Sequence, residues 1–175
     1  MPQEREPRAI RLREIALLQG AGCAPRRDAF APPKHQRTED VTVEDILKAH
    51  PRPLIADLAM LVDCIDECAD CAAVCIVCAD ACLAEDDVRA LIRCIRLCLD
   101  CADACIAAGR ITSRQTDPHL DTQRTTLEAC LVACRASAAE CERHAAHHEH
   151  CRLCAEECRR CEMACDALLA ALSAA

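Results

Sequence analysis

The cysteines of this chain recur at steps of three and four residues, a spacing that places them on one face only if the backbone is helical. Cys64, Cys68, Cys71, Cys75, Cys78 and Cys82 follow steps of 4, 3, 4, 3 and 4, the seam periodicity of a packed helix with sulfur where leucine normally stands. Cys94, Cys98, Cys101 and Cys105 repeat the pattern, as do Cys151, Cys154, Cys158, Cys161 and Cys165. Between them, Cys130, Cys134 and Cys141 form a sparser stripe in which Ser137 occupies a thiol position. Of 19 cysteines, all but Cys23 lie in this region.

The remaining residues agree with helix. Ala, Leu, Glu and Arg dominate, Gly numbers 3 and the only aromatic residue is Phe30, so an all-α chain with a thin, thiol-lined core is expected. Thr42-x-x-Asp45 resembles a capping box that opens a short helix, Val43 to Ala49, stopped by Pro51 and Pro53. Four long helices are predicted after it, at about 54–83, 87–108, 117–145 and 148–172. Gly109 is read as closing the second, and Asp117 with Pro118 as capping the third. Short connections favour an antiparallel up-down-up-down four-helix bundle with a cysteine-lined core. Residues 1–41, rich in Arg, Pro and Gln, read as a flexible extension with room for a short helix at Ile10–Leu18, and residues 42–175 as the bundle.

A net charge of -8 without a basic, aromatic-bearing stripe argues against nucleic acid as a partner. No apolar run approaches the ~20 residues of a membrane span. Arg8, Arg11 and Arg13 precede Ile15–Leu18, but Gln19 and Gly20 end that run short of a signal peptide. A cytoplasmic location is expected, and with it reduced thiols.

The thiol stripe of the first long helix spans roughly 27 Å at about 1.5 Å per residue, most of a bundle's length. Continued toward one end, the stripes meet Leu54, Leu61, Leu127, Leu168 and Leu172, an apolar plug. Toward the other they meet Glu85, Asp86, Asp87, His144, His147, His148 and His150. Cysteines side by side on one helix do not face each other, which disfavours a disulfide framework. Four-thiolate zinc sites would leave net negative charge in a dry core, and the spacing lacks the loop-borne pattern of iron–sulfur ligands. Cu(I) is soft, accepts two or three thiolates and balances one thiolate charge per ion. The predicted function is storage of multiple Cu(I) ions without catalysis. A general thiol sink for zinc or other soft metals, and a thiol redox or metal-transfer protein, stand as alternatives.

At the polar end, His144 lies three residues past Cys141 and His148 three before Cys151, so both continue the stripes. Imidazoles there would capture metal and pass it to tighter thiolates, and Asp87 with its acidic neighbours would attract cations. Met60 is expected to pack and Met163 to lie off the fourth stripe, and Cys23, His35, His50 and His119 are read as incidental. The first two long helices carry further apolar residues beside the cysteines, among them Ile65, Ala72, Ile76, Val77, Ala79, Leu83, Leu99 and Ala102. An extra apolar arc of this kind predicts a homo-oligomer packed through these helices.

The segments Cys-Leu-Ala-Glu-Asp-Asp-Val-Arg at 82–89, Cys-Ile-Arg-Leu-Cys at 94–98 and His-x3-His-x-His-Cys at 144–151 resemble the cytosolic copper storage proteins of bacteria. The resemblance covers about residues 42–170. It implies a tube of Cu(I) ions, a mouth of histidine and acidic ligands, and a tetramer. By position His144, His148 and His150 match the mouth histidines, whereas His147 is an addition. Leu127 and Ser137 stand where relatives carry further cysteines, and the long N-terminal extension is not a family feature. Copper chaperones or efflux proteins are the expected exchange partners.

Overall fold

The computed structural model describes residues 41–174. The suggested helix at 10–18, the flexible extension, Cys23 and His35 lie outside them. Among the described residues there are five helices and no strand: α1 Val43–Lys48, α2 Leu58–Leu83, α3 Val88–Thr112, α4 Leu120–His144 and α5 Glu149–Ala174. None is long and apolar enough to cross a membrane.

Local chemistry sets most of these ends. Thr42 opens α1 with a capping box, its hydroxyl accepting from Asp45 N at 3.2 Å while Asp45 Oδ2 accepts from Thr42 N at 3.0 Å. Helix α2 starts at Leu58 and not near Leu54, because Asp57 Oδ1 caps it by accepting from Ala59 N at 2.9 Å. The preceding segment is held instead by Ile55 N donating to Gln115 Oε1 at 3.0 Å.

Two further helix boundaries differ from expectation for identifiable reasons. Gly109 does not end α3, which continues to Thr112. Its value is room: a Cβ placed there would lie 3.3 Å from Cys68 Cβ on α2, so the glycine permits close approach of two helices. Helix α4 begins after His119, whose Nδ1 accepts from Thr122 N at 3.2 Å. Asp117, expected as the cap, adopts φ 50, the left-handed turn conformation that a short polar side chain tolerates.

Helix α2 packs on α3 and α5, and α4 packs on the same two; α1 rests on α2. This is the predicted antiparallel ring of four. Its largest fully buried side chains are leucines, Leu61, Leu91, Leu127, Leu168 and Leu172. Four of them close the end near the start of α2, as expected from the stripes. That plug is not wholly apolar, since Thr112, Gln115 and Gln123 are also buried there. Leu91 lies at the opposite end, one turn before Cys94 on α3, so leucine takes one of the four stripe positions at the polar mouth. Ile65, Ala72, Ala79 and Ala102, assigned above to an oligomer face, are buried within the chain itself.

Candidate metal centre

The antiparallel ring turns every cysteine stripe inward. All eighteen bundle cysteines are free and buried, and only Cys78 retains any exposure, at 2%. At the polar end Cys78, Cys82 and Cys151 converge on His150 Nδ1, at 3.5, 4.0 and 3.5 Å. Cys94 links Cys151 at 4.0 Å to Cys141 at 3.5 Å, and Cys98 links Cys141 at 3.7 Å to Cys154 at 3.9 Å. Deeper in the bundle, Cys71 touches Cys75, Cys101 and Cys158. Cys105 touches Cys101, Cys130, Cys134 and Cys161, and Cys165 touches Cys64, Cys68, Cys130 and Cys161.

These thiols form groups of four whose sulfurs all lie within 4.8 Å of one another, and the groups overlap. Cys71 and Cys101 belong both to the group with Cys105 and Cys134 and to the group with Cys75 and Cys158. Cys78 and Cys94 likewise belong to one group with Cys98 and Cys141 and to another with Cys82 and Cys151. Discrete four-thiolate sites would compete for these shared sulfurs. A metal array with bridging thiolates uses them all.

The mouth is organised by a carboxylate. Glu85 Oε1 accepts from His150 Nε2 and from His148 Nδ1, each at 3.0 Å. A proton on Nε2 leaves the His150 Nδ1 lone pair facing the three thiols, the arrangement by which a carboxylate orients a metal-binding imidazole. Hydrogen bonds from His150 and His148 hold the Glu85 carboxyl below the usual range. His144 is oriented by Glu140, Nε2 to Oε1 at 3.3 Å, and Glu140 in turn accepts from Arg93 Nε at 3.1 Å. The rings of His144, His148 and His150 form a chain with centroids 6.5 and 5.4 Å apart.

Asp87 is exposed and makes no side-chain bond at the start of α3; the acid that meets the histidines is Glu85, two residues earlier. Glu140 was missed altogether, although its position four residues before His144 puts it on the same helix face. His147 is exposed, as is Met163 at 65%. An apolar groove of about 330 Å³ between α2 and α5, lined by Val74, Val77 and Leu153, reaches Cys78 and His150 from the side.

Burial pushes the Cys151 thiol up to about 12 and raises Cys82 as well. Cys141 is drawn down to about 5 by hydrogen bonds with Cys154, Cys78 and Cys94.

A comparison with curated proteins returned no match. Among solved structures, the copper storage protein of Streptomyces lividans loaded with 10 copper equivalents is 47% identical, with a TM-score of 0.73 over 74% of this chain and 99% of that one. A structure of copper loading to a cytosolic copper storage protein from the same organism, with five coppers, is 50% identical at a TM-score of 0.63, covering 64% of this chain and 93% of that one. The family model described as copper storage protein matches residues 58–170, which is α2 through most of α5, the part of the chain that builds the thiol column. With the four stripes, the mouth histidines and this match in hand, the chain belongs to the copper storage protein family.

Proposed function

We propose that this protein stores and buffers copper as Cu(I) in the cytosol, without catalysis, through the eighteen bundle thiolates. The overlap of the four-thiol groups supports this reading best. Bridging thiolates suit a soft monovalent ion, and one Cu(I) per thiolate leaves a filled column near neutrality, whereas four thiolates around each divalent ion would bury net charge. His144, His148 and His150, oriented by Glu140 and Glu85, receive the ion before it moves to sulfur. In this reading Glu85 takes the role that sequence spacing offered to Asp87. A copper chaperone or efflux protein would exchange metal at this mouth. In this reading residues 42–175 are the storage unit.

Anaerobic titration with Cu(I) is expected to saturate near one ion per bundle thiol. Saturation at about four ions, as separate four-thiolate sites require, or preferential uptake of Zn(II), would overturn the reading. With no Trp and no Tyr in the chain, copper–thiolate absorption can be followed in a nearly clear near-ultraviolet window.

We also propose a homo-oligomer that covers the apolar residues α2 and α3 leave exposed, Ile76 at 48%, Val77 at 67%, Leu83 at 61% and Leu99 at 44%. Light scattering is expected to give a multiple of the chain mass, and Val77→Asp to lower it. A monomeric mass for the parent chain would refute this packing.

A further inference from the structure

The mouth differs from the deeper column in its donor set. The groups around Cys68 and Cys71 consist of sulfur alone, whereas at the polar end His150 Nδ1 faces Cys78, Cys82 and Cys151 at 3.5, 4.0 and 3.5 Å. Those three sulfurs also lie within 4.8 Å of one another. One nitrogen and three sulfurs thus stand at the corners of a single tetrahedron. A tetrahedral ion with bonds of about 2.3 Å to sulfur and about 2.0–2.1 Å to nitrogen sets its N and S ligands about 3.6 Å apart and its sulfurs about 3.8 Å apart. Two of the three nitrogen–sulfur edges already have that length, and the edge to Cys82 is longer by about 0.4 Å.

We propose that Cys78, Cys82, Cys151 and His150 form a site for one divalent ion of the zinc type, filled while the store is empty of copper and vacated as Cu(I) enters. This rests on the copper-storage reading and adds a regulated mouth to it. Charge separates the mouth from the interior. Three thiolates and a neutral imidazole around Zn(II) leave one net negative charge, whereas four thiolates leave two. The His150 side chain is 23% exposed, so the smaller charge is also within reach of water, which lowers the cost of holding it. The neighbours fit as well: Glu85 on His150 Nε2 fixes the tautomer whose Nδ1 can bind a metal.

Cys78 and Cys82 stand one turn apart on α2, and His150 and Cys151 are adjacent in the first turn of α5. An ion held by all four ties these two helices together at the open end, where no leucine plug does so. Cys94 also lies within reach of the three sulfurs, and using it in place of His150 would restore the second negative charge. Zinc binding sends three thiol protons to solvent. Copper then displaces the ion by ligand exchange: each thiolate that bonds Cu(I) gives up its bond to Zn(II), zinc leaves as the hydrated ion, and no electron moves. Cu(I) prevails because it is the softer ion and is satisfied by two or three sulfurs. One zinc ion displaced by copper is distinct from preferential uptake of zinc by the column.

The test uses the full chain, reduced, freed of metal and kept anaerobic. Co(II), a coloured probe of tetrahedral zinc sites, is expected to give thiolate-to-cobalt absorption that saturates at about one ion per chain, and Zn(II) to bleach it with the same stoichiometry. Glu85→Gln is expected to weaken Zn(II) binding by about 10–100-fold and His150→Ala by more, both with unchanged helical circular dichroism. Cys94→Ser loses a copper ligand but is expected to keep the zinc site. Cu(I) added to the zinc form is expected to release the zinc to a chromophoric chelator. No uptake or uptake of several ions by the parent, parent-like affinity in His150→Ala, loss of zinc in Cys94→Ser, or zinc retained after copper has filled the column would each overturn the site. Copper capacity is read separately on the zinc-free chain: about four ions would sink the storage reading, whereas about one ion per thiol without zinc uptake would sink the mouth site alone.

Discussion

Leu61→Asp is expected to abolish the folded apo bundle, leaving little helical circular dichroism and no cooperative thermal transition. Leu61 is fully buried at the closed end, as are Leu127 and Leu168. Most of the remaining core is cysteine and alanine, side chains that bury little apolar area, so the terminal leucines contribute a disproportionate share of the hydrophobic stabilisation. Fully burying one leucine is worth about 1.5–3 kcal/mol. An unpaired carboxylate in its place costs about 3–5 kcal/mol more, and Asp57, one turn earlier on the same face, would repel it. Against a typical domain stability of about 5–15 kcal/mol the sum is decisive.

Two companions identify the cause. Leu61→Cys extends the α2 stripe by one step, loses volume without adding charge, and is expected to fold with a loss of about 1–3 kcal/mol while gaining a thiol. Excess Cu(I) is expected to restore part of the helical signal of Leu61→Asp, because ions that bind only the folded column pull the equilibrium toward it. A Leu61→Asp protein within about 1 kcal/mol of the parent would show that the thiol column, not the leucine plug, holds the bundle together.

The plug was visible in the sequence because leucine continues the cysteine period on three helices. Helix α3 offered no such leucine. There the closed end receives Ala108 and Thr112, and Leu91 appears at the mouth. Periodicity names the face of a helix but not the depth at which neighbouring helices align. Register along the axis is fixed by loop lengths and caps, and two of those were misread. Asp117 and His119 both offer a capping acceptor, and choosing between them requires knowing which residue takes the left-handed turn. Gly109 carried a plausible stop signal, yet its role is contact with Cys68, a relation 41 residues apart that no local pattern records.

The candidate site was legible to a similar depth. Eighteen cysteines at helical spacing could converge only if the helices formed a ring, and they do. The mouth carboxylate was not resolved, since Glu85, Asp86 and Asp87 lie in a turn where helical phase is lost. Which of three adjacent acids points at His150 depends on the turn's backbone. Ser137 was legible as a gap in a stripe, whereas its two sulfur neighbours, Cys75 and Cys98, required the packed structure.

Alkaline pH is expected to destabilise the apo bundle and to spare the copper-loaded one. The Cys151 thiol, ordinarily near 9.0, is pushed up to about 12 by burial, and Cys82 is raised by the same cause. Below about pH 9 both are protonated whether the chain is folded or not, so their contribution is fully present and flat. Between about pH 9 and 12 the unfolded chain loses the Cys151 proton while the folded chain retains it, and Cys82 acts in the same direction. Stability therefore falls by about 1.4 kcal/mol per pH unit from Cys151 across that window. Loading inverts the sign: once copper holds the sulfurs there are no protons left to lose, and it is acid that competes for the thiolates. If each ion displaces one proton, its affinity should weaken by about tenfold for every unit by which the pH falls below the thiol range. Thermal unfolding of the two forms between pH 7 and 11, with copper retention followed down to pH 4, reads both arms. An apo protein equally stable at pH 7 and 11 would contradict the burial of protonated thiols at the mouth, and copper retention independent of acid would contradict thiolate ligation itself.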